Sequence, residues 1–138
     1  MSCLFCRIVA GEIPAELVLQ EAGALAFFDI QPLADGHVVV IPRTHAERVE
    51  ELATTEIAAL FQTVARLTGP LRRALDADAI TIGINDGPAS GQTIPHVHVH
   101  LVPRREGDGA GTIHTIFKMR GRRPVAEVGA AIRKALGG

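Results

Sequence analysis

The chain has 138 residues, 47% hydrophobic and 21% charged, with a net charge of -1. That length and composition fit one globular domain with a sizeable core and exclude a disordered chain. The near-neutral balance argues against a general nucleic-acid or membrane-surface binder, and no apolar run is long enough to span a bilayer.

The N-terminus, "MSCLFCRIVAGEIP", lacks a basic segment followed by a long apolar one, so it does not read as a secretory signal and the cytoplasm is the expected location. In that reducing compartment Cys3 and Cys6 are expected as thiols or metal ligands rather than a disulfide. "AELVLQEAGALAFFDI" reads as two short strands joined by a turn near Glu21 to Gly23, and "GHVVVIP" (36 to 42) as a strongly apolar strand ended by a proline. From Thr54 to about Leu75 the period becomes helical. Ile57, Leu60, Phe61, Val64, Leu67 and Leu71 form one stripe, with Thr54 or Thr55 as N-cap and a kink or break expected at Gly69-Pro70. "AITIGIN" (79 to 85) is a further strand. Val125, Val128, Ile132 and Leu136 mark a short C-terminal helix that Pro124 opens. The pattern predicts an α+β fold with a mostly antiparallel sheet.

Chemistry concentrates in "IPHVHVHLVP" (94 to 103), where His96, His98 and His100 alternate with Val97, Val99 and Leu101. Alternation predicts a half-buried strand whose three histidines share one face, spaced by about 7 Å at roughly 3.3 Å per residue. Such a row can surround a phosphate-sized group or hold a metal; a solvent-facing histidine tract is the plainer alternative. Just upstream, Gly91, Gln92 and Thr93 offer a close backbone approach, an amide and a hydroxyl, the donors a phosphate needs. Taken alone, that loop is equally an ordinary turn. In "FFDIQP", Asp29 has the short carboxylate that accepts ribose hydroxyls, and Phe27, Phe28 and Ile30 form an apolar slot or simply a core strand.

The segment "HVHVHLV" resembles the His-x-His-x-His-x-x signature of the histidine triad family. "CLFCRIVAGEIPAELV", "AFFDIQPLADGHVVVIPRTH" and "INDGPASGQTIPHVHVHLVPR" are each similar to segments of bacterial members, in family order. The resemblance covers almost the whole chain and implies a single domain, with a core at 1–105 and a variable tail and helix at 106–138. It implies a five-stranded antiparallel sheet with one long helix, a homodimer, and a nucleotide hydrolase or nucleotidyl transferase acting on a purine nucleotide. No organic cofactor is implied.

Carried over position by position, the catalytic histidines are His37, His96, His98 and His100: His98 is the nucleophile, and His100, Gln92 and Thr93 are donors to the phosphoryl oxygens. His37 would sit behind the triad, Asp29 on the ribose, Asn85 near the phosphate, and Ile8, Phe28 and Ile30 around the base. An imidazole suits the first role, because it attacks without losing a proton and its phosphoramidate is labile enough for a second step. The resemblance is also to zinc-binding bacterial members, implying a structural zinc held by Cys3, Cys6, His45 and His96. "DGPASGQT" and "EIAALFQTVARL" resemble the fragile-histidine branch, which hydrolyses dinucleoside polyphosphates, whereas the cysteines and "GEIP" resemble a broader branch that includes phosphoramidate-cleaving enzymes. Two other classes stay open: a non-enzymatic nucleotide-binding or scaffold protein, and a zinc-dependent hydrolase using His-x-His as a catalytic metal motif. His114, beyond the core, reads as a tail histidine.

Overall fold

The computed structural model describes residues 3–137. The chain forms two compact units, one ending at Glu106 and the next beginning at Gly107. No helix of the described residues is long and apolar enough to cross a membrane.

The first unit opens with a short helix, α1 (Leu4–Val9), followed by the hairpin β1 (Leu17–Gln20) and β2 (Ala24–Phe28) and the strand β3 (Val38–Pro42). The long helix α2 (Thr54–Ala74), β4 (Ala79–Gly83) and β5 (Val99–Arg104) complete it. The strands form one five-stranded sheet in the order β1-β2-β3-β5-β4, every neighbouring pair antiparallel. The α+β class and strand count match the expectation.

Strand alternation makes this sheet two-sided. Ala24, Ala26, Val38, Val40, Val99 and Leu101 pack with Leu60, Val64, Leu67 and Leu71 of α2. Leu25, Phe27, Val39 and Ile41 point the other way and pack with Phe5 of α1. Gly23 lets the helix approach, since a Cβ there would lie 2.6 Å from that of Ala59. Phe61, assigned to the apolar stripe, turns outward and is 42% exposed.

Three local expectations are corrected. The N-cap of α2 is Ala53 rather than a threonine; Glu56, at the third helical position, reaches back to accept the Ala53 N–H at 2.7 Å. Of the kink or break expected at Gly69-Pro70, no break occurs: α2 continues through the exposed Pro70, which has no N–H to give to the carbonyl of Arg66. The histidine strand begins only at Val99. Before it, Pro95 offers no N–H, the His96 N–H bonds back to Ile94 O at 2.8 Å, and the Val97 N–H goes to Ala46 O at 2.7 Å instead of a ladder partner.

The second unit contains a 3-10 turn at Ile113–Thr115 and α3 (Val125–Ala135), capped by Pro124 and carrying an Arg123–Glu127 ion pair at 2.8 Å. His114 lies in its turn and is exposed.

Gly36 occupies the left-handed region at φ +85, and a Cβ there would overlap the Leu75 side chain and press on Pro103 at 3.2 Å. Gly11 has a similar φ of +77 with nothing within 4 Å of a Cβ. Gly11→Ala should therefore cost only the backbone strain, about 1 kcal/mol. Gly36→Ala adds overpacking and should cost about 2–4 kcal/mol. Urea unfolding of the two variants measures the difference, which vanishes if crowding at Gly36 is relieved elsewhere.

Candidate functional site

A cavity of about 530 Å³ opens on the sheet face opposite α2. One wall comes from α1, through Leu4, Phe5 and Ile8, and from Ile13, Pro14 and Ala15 after it. The end of β2 supplies Phe28, Asp29 and Ile30; the loop before β5 supplies Asn85, Gly91 and Thr93; His98 and His100 form the floor. Nine of the expected site residues thus converge: Ile8, Phe28, Asp29, Ile30, Asn85, Gly91, Thr93, His98 and His100. Ile30 belongs to the rim, being 93% exposed.

The expected spacing of the histidine rings is revised, because the residues approach from an irregular segment and lean together. His98 and His100 have ring centroids 4.9 Å apart, and the Phe5 ring stands edge-on to both His96 and His98, at 5.8 and 5.2 Å. His96, expected both among the catalytic histidines and as a metal ligand, does not line the cavity and lies with Cys3, Cys6 and His45 instead. Its backbone carbonyl accepts the Nδ1–H of His98 at 2.8 Å.

Backbone partners fix the proton on each ring. The Leu33 N–H can only donate, so His37 Nδ1, 3.0 Å away, is an acceptor and the proton sits on Nε2. That Nε2–H donates to His100 Nδ1 at 2.9 Å, so the proton of His100 lies on Nε2. In His98 the order is reversed: Nδ1 donates to a carbonyl, and Nε2 keeps a bare lone pair. Neighbouring imidazoles, 98 and 100, therefore offer opposite functions, one a nucleophile and the other a hydrogen-bond donor. His37, 2% exposed, stands behind His100, with Asp29 Oδ2 3.7 Å from its Nε2. Asp29, His37 and His100 could also gather round an ion, but these ring nitrogens are already committed to one another.

Gln92 departs from expectation. Its amide oxygen accepts the Gly87 N–H at 2.8 Å, and its Nε2 donates to Glu47 O at 2.8 Å and Ile94 O at 3.1 Å. These backbone bonds occupy the side chain, which shapes the loop instead of reaching the cavity. Leu4, Phe5, Ile13, Pro14 and Ala15 are wall residues that sequence reasoning missed. All five lie in "CLFCRIVAGEIPAELV", whose family resemblance was their signal.

Cys3, Cys6, His45 and His96 bring their ligand atoms within 4.8 Å of one another. The His45 and His96 Nδ1 atoms are 3.3 Å apart, and three sulfur–nitrogen separations are 3.4, 3.3 and 3.6 Å. A tetrahedral zinc would place nitrogen ligands about 3.3 Å apart and sulfur–nitrogen pairs about 3.5 Å apart. The set therefore fits a four-coordinate metal. His96 Nε2–H donates to Pro42 O at 2.9 Å, which fixes the ring and leaves Nδ1 free to ligate, as a carbonyl behind a metal-binding histidine does. Burial, then the neighbouring Cys3 thiol, push the Cys6 thiol above its ordinary value, a cost that a bound cation would relieve.

Burial, with the nearby His98 and His37 adding to it, lowers the ionisation of His100 to about 4. Burial also lowers His37, against the charge of Asp29, and lowers His96. Between pH 6.5 and about 4 the unfolded chain takes up protons that folded His100 refuses, so stability falls as pH falls through that window and levels off below it. Urea midpoints should decline from pH 7 to pH 5, and His100→Asn should show a shallower decline. An unchanged slope would mean that His100 is not held neutral.

The HIT-domain family model matches residues 10–107. An uncharacterized HIT-like protein of Methanocaldococcus jannaschii is 41% identical over 107 residues, covering 78% of this chain and 82% of that protein. The adenosine 5'-monophosphoramidase hnt1 of Schizosaccharomyces pombe is 36% identical, with 75% of each chain covered. The adenylylsulfatase HINT3 of Arabidopsis thaliana is 34% identical over 77% of this chain and 54% of its own. Among solved structures, a Streptococcus mutans protein superposes with TM-score 0.86 at 34% identity, covering 98% of this chain and 85% of its own. A Zn-bound histidine triad protein of Mycobacterium smegmatis superposes with TM-score 0.76 at 36% identity, covering 99% and 94%. Sequence, sheet order and triad agree: the chain belongs to the HIT-domain family.

Proposed function

We propose that the protein cleaves a purine nucleotide conjugate at its α-phosphate, through a nucleotidyl intermediate on His98. The observation that carries this reading is the proton arrangement, with a bare His98 Nε2 beside a neutral, donating His100 Nε2–H at the floor of one cavity. His98 Nε2 forms a bond to phosphorus as the bond to the leaving group breaks. Water then attacks the same phosphorus, breaks the P–N bond and releases the nucleoside monophosphate. His100, Thr93 and Asn85 stabilise charge on the phosphoryl oxygens by donating hydrogen bonds. Asp29 takes the ribose hydroxyls, its Oδ1 already steadied by the Gln31 N–H at 2.8 Å, and Ile8, Phe28 and Ile30 bracket the base. The named relatives act on a phosphoramidate and on an adenylyl sulfate, which supports a small nucleotide conjugate, phosphoramidate or dinucleoside polyphosphate, as the substrate class.

Zinc is proposed for Cys3, Cys6, His45 and His96, where its chemistry is structural: four ligands close the coordination shell and leave no position for water. This arrangement disfavours a zinc-dependent hydrolase, and His98 is not among the ligand atoms. A cytoplasmic homodimer is the proposed working form. It is supported by the outward-facing Phe61 on α2 and by Ile82, 49% exposed on β4 at the edge of the sheet.

His98→Asn should lower turnover of an adenosine phosphoramidate by at least about 10³-fold while AMP still binds. Mass spectrometry of the wild type after brief incubation should show a nucleotidyl adduct that the variant lacks. Activity that persists in His98→Asn sinks the covalent route, and binding without turnover in the wild type leaves a nucleotide-binding scaffold. Elemental analysis should find close to one zinc per chain in both wild type and His98→Asn. Cys3→Ser should lose metal and thermal stability together, because ligand binding is coupled to folding. Loss of zinc in His98→Asn instead would assign the metal to the triad.

A further inference from the structure

Resting on the reading that a nucleotide fills the cavity, we infer that the Cys3–Cys6–His45–His96 cluster and the cavity are energetically coupled: metal and nucleotide each tighten the other's binding through α1. The helix that carries Cys6, with Cys3 at its N-cap, also carries Leu4, Phe5 and Ile8, which form part of one cavity wall. Its six residues make it too short to persist alone in water. Cys3 at the N-cap makes no side-chain capping bond, and no acidic residue lies in the first turn. Order in α1 therefore comes from what its faces touch. One face is the thiol pair, with Cys3 Sγ 3.4 Å from His96 Nδ1 and Cys6 Sγ 3.3 Å from His45 Nδ1. The other is the apolar wall, fixed by Phe5 against Phe27 at 5.4 Å and against His98 at 5.2 Å.

A ligand on either face raises the population of seated α1 and removes that ordering cost for the other ligand. The coupling is reciprocal by thermodynamic necessity, and a factor of roughly 5 to 150 is usual for such linkage. A merely static clip predicts no coupling, because α1 would already be fully seated.

The test uses the full-length protein, zinc and AMP. Competition with a chromophoric chelator gives the zinc dissociation constant with and without saturating AMP, and calorimetry gives the AMP constant of zinc-loaded and zinc-free protein. Both ratios should be equal and at least about fivefold. Direct capture of zinc by AMP would draw zinc from the chelator and imitate tighter binding, so a titration of chelator and AMP without protein supplies the correction, and the AMP constants from calorimetry must show the same ratio. Hydrogen exchange locates the coupling: zinc removal should expose the amides of 3–10 while β2 and β3 stay protected, and AMP should restore protection there. Equal zinc affinity with and without AMP overturns the coupling, as does zinc removal that loosens the whole sheet alike. Failure of AMP to bind zinc-loaded protein overturns the nucleotide reading itself, and the coupling with it.

Discussion

The bond from His96 Nε2–H to the Pro42 carbonyl orders much of what surrounds it. It is fully buried, so breaking it would strand a carbonyl at the end of the central strand and an imidazole N–H with no water to replace either. Through it the ring is turned so that Nδ1 meets the two thiols and His45, while the main chain of the same residue presents its carbonyl to His98. One side chain thus holds the ligand cluster, and one backbone group holds the proposed nucleophile. The division explains how two neighbouring histidines in a single motif serve different chemistries without competing.

The sheet makes this separation possible. β3 is buried on both faces, Val38 and Val40 against α2 and Val39 and Ile41 against the α1 side. Its register sets Val39 opposite His100 and Val40 opposite Val99, so the apolar positions of β5 go to the helix while the histidine goes to the cavity. A slip of one residue would exchange the two sets and bury His100 under α2. Core packing and site geometry are therefore enforced by the same alternation, and a large part of the hydrophobic energy of folding also holds the triad in place.

The elements with long or clean periods were legible from the residues: α2 with its stripe, the β1-β2 turn, β3, β4 and the C-terminal helix. α1 was not, since six residues span less than two turns and show no period to read. At Pro70 the sequence leaves kink and break undivided, because the proline rule speaks of a lost bond and a clash and not of how the rest of the helix is held. The triad, Asp29, Asn85, Gly91 and Thr93 could be assembled from motif resemblance, and the cavity gathers them. Gln92 could not be judged from its position in "GQT", because its partners Glu47, Gly87 and Ile94 come from three separate stretches of chain. The proton arrangement was equally out of reach, depending on the main chain of Leu33, Pro42 and His96.

That last dependence bears on how the site tolerates sequence drift. The groups that set the tautomers of His37, His96 and His98 are peptide N–H and C=O groups, which nearly every residue possesses. Leu33, 78% exposed, can be exchanged for many side chains while its N–H continues to point at His37. The feature is thus robust to substitution and invisible to any comparison of side chains. It is vulnerable only to changes of chain path, such as a deletion in the 29–36 loop or a proline at position 33.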